Sequence, residues 1–67
     1  MNKFKERFNE CLKFSNLSQE EFARKMNMSQ SVISNYCTGK RLPSLDTLML
    51  ICKILQVSSD YLLGLVD

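Results

Sequence analysis

Apolar side chains recur at helical spacing in five stretches of this 67-residue chain. Phe4, Phe8, Cys11 and Leu12 share one face of a first helix over 2–14. Phe22, Ala23 and Met26 predict a second over 19–26, and Ile33 and Tyr36 a third over 30–37. Leu48, Ile51, Cys52 and Leu55 predict a fourth over 45–55, and a short fifth covers 59–63. No stretch alternates with period two for long enough to form a strand. Three helix starts carry a polar cap between two apolar residues: Leu17-Ser18-Phe22, Met28-Ser29-Ile33 and Val57-Ser58-Leu62. In each, the serine can accept an N–H of the first turn while the apolar pair closes over it. Glu21 completes a capping box with Ser18, and Ser44 after Pro43 is a fourth cap. Gly39 and Gly64 stand where the third and fifth helices end, in the left-handed position that glycine tolerates. The expected fold is all-α: one domain, 1–67, a bundle of five short helices.

Between the second and third helices only Met26-Asn27-Met28-Ser29 is available, so the two must cross steeply. Small Ala23 permits close approach. This is a helix-turn-helix arrangement over about 18–37, whose second helix can enter the major groove of DNA. The third helix opens with Gln30, Ser31, Ser34 and Asn35, opposite Ile33 and Tyr36. Gln and Asn can make paired hydrogen bonds to N6 and N7 of adenine, and Ser can serve several bases. A merely solvated face would normally carry charge, and this one carries none.

Composition narrows the field further. At 45% apolar and 24% charged, the chain is of ordinary globular type. A domain this small buries only about 60% of the surface its unfolded chain exposes. The longest apolar run, Leu48 to Cys52, is far below the roughly 20 residues of a membrane span. No hydrophobic leader follows Met1, and a cytoplasmic protein is expected. Cys11, Cys37 and Cys52 are odd in number and form no CxxC pair, and histidine is absent. Reduced, buried thiols are expected, with no disulfide, metal or cofactor. The net charge of +2 says little, but its distribution says more. No acid lies between Glu21 and Asp46, whereas Arg24, Lys25, Lys40 and Arg41 do.

The segment LSQEEFARKMNMSQSVISNYCTGKRLPSLDTL, followed by VSSDYLLG, resembles the phage repressor and Cro family of Xre-type helix-turn-helix regulators. The resemblance runs from Phe4 to Gly64. It rests on LSQEEFA, SQSVIS, the G-K-x-x-P-S loop and D-Y-L-L-G in order. It implies sequence-specific binding of double-stranded DNA by a transcriptional regulator, a repressor in first place. It also implies a homodimer on a two-fold operator, formed either beforehand or only on the DNA. By position, it implies base contacts from Gln30, Ser31, Ser34 and Asn35. Phosphate contacts are implied for Gln19, Ser29, Thr38, Lys40 and Arg41. Three positions depart from the family pattern. Asn35 stands where Arg is frequent, and Val32 where Ser or Thr is common. Leu12 and Cys37 replace an Arg–Glu pair, which predicts an apolar contact between them and avoids one buried unpaired charge.

Rival functions find less support. An enzyme would need a base, a phosphate loop or an activated nucleophile, and none is visible. A protein-interaction module without DNA binding would expose apolar residues on the third helix, where only Val32 is a candidate. A membrane-surface role would need an uninterrupted basic face. Lys3, Lys5, Arg7 and Lys13 of the first helix are interrupted by Glu6 and Glu10 and are expected to be solvated.

Overall fold

Four serines start helices. Ser18, Ser29, Ser44 and Ser58 each accept the backbone N–H three residues on, from Glu21, Val32, Thr47 and Tyr61. The computed structural model describes residues 2–67 and has five helices among them. They are α1 (Phe4–Phe14), α2 (Gln19–Met26), α3 (Gln30–Thr38), α4 (Leu45–Leu55) and α5 (Ser59–Leu63). No strand is present among the described residues. The start of α1 falls two residues later than the apolar pattern suggests. Asn2 remains outside the helix because its Oδ1 accepts the Phe4 N–H at 3.0 Å.

The helix ends are as regular as the starts. Asn16, Asn27, Gly39, Gln56 and Gly64 all take positive φ, between 57° and 84°. At three of these ends the chain passes from one helix to the next in the same way. A left-handed residue, an apolar residue and a capping serine follow in order: Asn16-Leu17-Ser18, Asn27-Met28-Ser29 and Gln56-Val57-Ser58. The apolar residue's N–H returns to a carbonyl five residues back. Leu17 reaches Leu12 at 3.3 Å, Met28 reaches Ala23 at 2.9 Å, and Val57 reaches Cys52 at 3.1 Å. This closes the last turn by the Schellman pattern, and each joint has no spare residue.

Aromatic rings fill the centre. Phe4 and Phe8 stack with centroids 5.1 Å apart, and Phe22 meets Phe8 edge-on at 5.4 Å. Tyr36 meets Phe4 and Phe8 edge-on, so α1, α2 and α3 share one aromatic cluster. Ile33, Ile51 and Leu62 complete the fully buried set. Of the expected inward residues, Cys52 and Leu55 are only half-buried, each lining an open hollow with Val57 and Ser58 where α4 meets α5. Cys11 and Cys37 are buried as expected, and all three thiols are free. Burial pushes each thiol above its ordinary range, which favours the protonated form.

Leu12 and Cys37 are both buried and line one depression between α1 and α3. A hydrogen bond joins the two helices beside them. Asn9 Nδ2 donates to the Cys37 carbonyl at 2.9 Å and to the Lys5 carbonyl at 2.7 Å, fastening α1 to the end of α3. Arg7 is not solvated as expected. It is half-buried; its Nη1 donates to the Tyr61 carbonyl at 2.7 Å and to the Val66 carbonyl. Its guanidinium also lies 4.4 Å from the centre of the Tyr61 ring. Tyr61 of α5 and Val66 of the tail after it supply acceptors that α1 alone could not reveal, and Arg7 holds the tail against the bundle.

Candidate nucleic-acid interface

The α2–α3 joint aims the third helix. Asn27 in the left-handed conformation turns the chain, and Ser29 restarts it, its Oγ accepting the Val32 N–H at 3.4 Å. Ala23 and Met26 of α2 and Ile33 and Tyr36 of α3 are buried, so the two helices pack through these faces. The opposite side of α3 is left outside. Gln30 and Ser31 are exposed there, while Ser34 and Asn35 are half-buried. All four residues proposed to read bases therefore lie on one accessible surface. Alone among the five helices, α3 carries no ionised side chain.

The backbone candidates sit around this surface. Gln19 opens α2, half-buried in the depression that Asn9, Leu12 and Cys37 also line. Its N–H group lies in the first turn, where the positive end of the helix dipole favours an anion. Ser29 is exposed, and its Oγ lies 3.2 Å from Ser31 Oγ. Thr38 Oγ1 donates to the Asn35 carbonyl at 3.3 Å, which also accepts the Arg41 N–H at 3.3 Å. This folds the loop carrying Lys40 and Arg41 back onto the end of α3, with both side chains exposed.

The acid-free third of the chain divides in space. Lys40 and Arg41 follow α3 directly, but Arg24 and Lys25 share a surface of α2 with Glu21. Arg24 also approaches Glu20 at 4.0 Å, an exposed pair of small energetic weight. A further base takes their place beside the loop. Lys5 of α1 lays its stem over Gly39, its Cδ 3.0 Å from where a Cβ would stand. With φ at +81° as well, that position accepts little but glycine. Neither Lys5 nor Asn9 was legible as part of this site, because nothing in their own helix shows that α3 ends beside them. Val32 packs against the core, and no large apolar residue of α3 is exposed.

A family model described as Helix-turn-helix matches residues 11–62. A stretch of methylphosphonate synthase from Nitrosopumilus maritimus (strain SCM1) is 42% identical over 45 residues, 67% of this chain and 10% of that protein. The HTH-type transcriptional regulator ImmR of Bacillus subtilis (strain 168) is 38% identical over 58 residues, 87% of this chain and 46% of that protein. The crystal structure of a transcriptional regulator from Listeria innocua matches all of this chain with a TM-score of 0.89. That match covers 63% of the Listeria chain at 22% identity, and so shows a common all-α fold. The chain spans about half the length of the curated regulators it matches.

Proposed function

The chain belongs to the helix-turn-helix family, and we propose that it binds a specific sequence of double-stranded DNA in the cytoplasm and represses transcription there. The observation that carries this reading is the outer face of α3. Gln30, Ser31, Ser34 and Asn35 offer uncharged donors and acceptors from a helix without an ionised side chain. Such groups suit base edges, whereas phosphates are met by cations and backbone N–H groups around them. Gln19 and Ser29 at the helix starts, Thr38 at the end of α3 and Lys40 and Arg41 in the loop after it are the phosphate contacts of this reading, and Lys5 adds a cation beside that loop. Repression needs nothing beyond occupancy, since a protein in the groove excludes others from it. No helix among the described residues is long and apolar enough to cross a membrane.

Two copies act together in this proposal. At nine residues, α3 is about 13 Å long and spans about four base pairs. Four base pairs recur too often to mark one operator, and a second copy on a two-fold half-site doubles the reading.

Gln30 and Lys40 test the assignment because their losses differ in kind. Gln30→Ala is expected to cost about 1–3 kcal/mol and to relax preference at one operator position. Lys40→Ala is expected to weaken all duplexes alike and to reduce the salt slope by about 1. The operator is first selected from a random duplex pool. Each variant is then titrated against it, its single-base variants and random duplex at several salt concentrations. Equal weakening of every duplex by Gln30→Ala would refute a base-reading role.

A further inference from the structure

Asn9 stands in the middle of α1 and uses both hydrogens of its side-chain amide on backbone carbonyls. The carbonyl of Lys5, in its own helix, accepts one at 2.7 Å, and that of Cys37 accepts the other at 2.9 Å. Turning the amide over would set Oδ1 against both oxygens, so the acceptors fix its orientation. The bond within α1 pins the side chain. The bond across reaches the last turn of α3, where a helix leaves its carbonyls without partners. Among the described residues no other side-chain hydrogen bond joins α3 to another helix.

The two ends of α3 are therefore held differently. The Asn27-Met28-Ser29 joint fixes the first turn. Toward the far end, Ile33, Tyr36 and Cys37 are buried in the apolar core, whose hold resists separation but has no direction. Along the helix axis, Asn35 lies about 7.5 Å from Gln30 and Cys37 about 10.5 Å. A swing about the first turn that shifts Cys37 by about 1 Å shifts Asn35 by about 0.7 Å. Hydrogen bonds to base edges tolerate only a few tenths of an ångström. Long cationic side chains such as Lys40 follow a phosphate through a larger shift.

We infer that Asn9 is a positioning residue for base reading. It holds the far end of α3 at the angle from which Ser34 and Asn35 meet base edges, and does not itself touch DNA. This rests on α3 being the reading helix. Without the Asn9 bond α3 samples neighbouring tilts, and operator affinity falls with the fraction left in the competent one. One such hydrogen bond shifts that balance by about two- to tenfold.

Asn9→Ala and Asn9→Leu remove the donor, the second at nearly unchanged size. Both favour helix in α1, so thermal melts should show both folded. Each full-length variant is titrated against the selected operator, its single-base variants and random duplex at several salt concentrations, beside Gln30→Ala and Asn35→Ala. Both should bind the operator about two- to tenfold more weakly, with random-duplex affinity and salt slope as in the wild type. The preference they lose should be the one that Asn35→Ala relaxes, while the one that Gln30→Ala relaxes persists. Unchanged operator affinity overturns the inference, as does a loss confined to the Gln30 position. Equal weakening of every duplex with a lower salt slope also overturns it, since Asn9 would then be a phosphate contact. So does unfolding of both variants, which would make the bond one of stability alone. A wild type that selects no operator refutes the reading of α3, and this inference with it.

Discussion

Glu21 and Ser18 hold each other at the start of α2: the Ser18 N–H donates to Glu21 Oε1 and the Glu21 N–H to Ser18 Oγ, both at 3.0 Å. The backbone hydrogen bond from Ser18 is the main cause holding the Glu21 carboxyl below its ordinary value, with the serine side chain second. A depressed carboxyl contributes stability above its ordinary titration range and loses it as pH falls through the folded-state value. The melting-temperature advantage of wild type over Glu21→Gln should therefore be full near about pH 6 and shrink toward about pH 3. A difference that does not change with pH would show that the charged form has no special hold there. This box was legible because both partners lie within one turn. Arg7 was not, since its acceptors are carbonyls of Tyr61 and Val66, more than fifty residues away. Separations of 28 and 34 residues likewise hid Asn9 on Cys37 and Lys5 on Gly39. The four outward residues of α3 were readable because helical periodicity alone decides which side they take.

Among elements, the starts were more readable than the ends. A serine between two apolar residues has few roles besides a cap, and all three such sites became helix starts. The glycine ends were visible for the same reason. Asn16, Asn27 and Gln56 were not, because Asn serves in caps and turns of many kinds and Gln rarely takes the left-handed conformation at all. Gln56 is the most informative of the three, being neither glycine nor asparagine, yet it stands at φ +57°. A non-glycine side chain pays about 1–2 kcal/mol for that conformation. Gln56→Gly removes that strain but gives about 0.4–1 kcal/mol back through a freer unfolded chain. The variant should come out stabilised by roughly 0.5–1 kcal/mol, a rise of a few degrees in Tm for a domain of this size. A lower Tm would mean that the Gln56 side chain makes a contact worth more than the strain.

The described chain measures 28 × 22 × 20 Å, so on the proposed operator one copy takes one face of the duplex over about one helical turn. On a two-fold operator, equivalent points of the two half-sites should lie about 34 Å apart, or a multiple of it. Footprints on operators whose half-sites are moved apart by single base pairs check this. Affinity should fall at about five added pairs, when the second site faces away, and recover near ten. Loss without recovery would be the mark of copies that bind independently of phase, or of one copy alone. The three joints bear on what lies between those half-sites. Each passes from helix to helix through one left-handed residue, one buried or half-buried apolar residue and one cap, with no slack between them. Such a reader cannot re-aim α3 to suit a duplex of slightly different pitch. On the proposed operator the adjustment then falls to the DNA. Base pairs that no side chain touches enter the affinity through how readily they twist and bend, so stiffness becomes part of the recognised sequence.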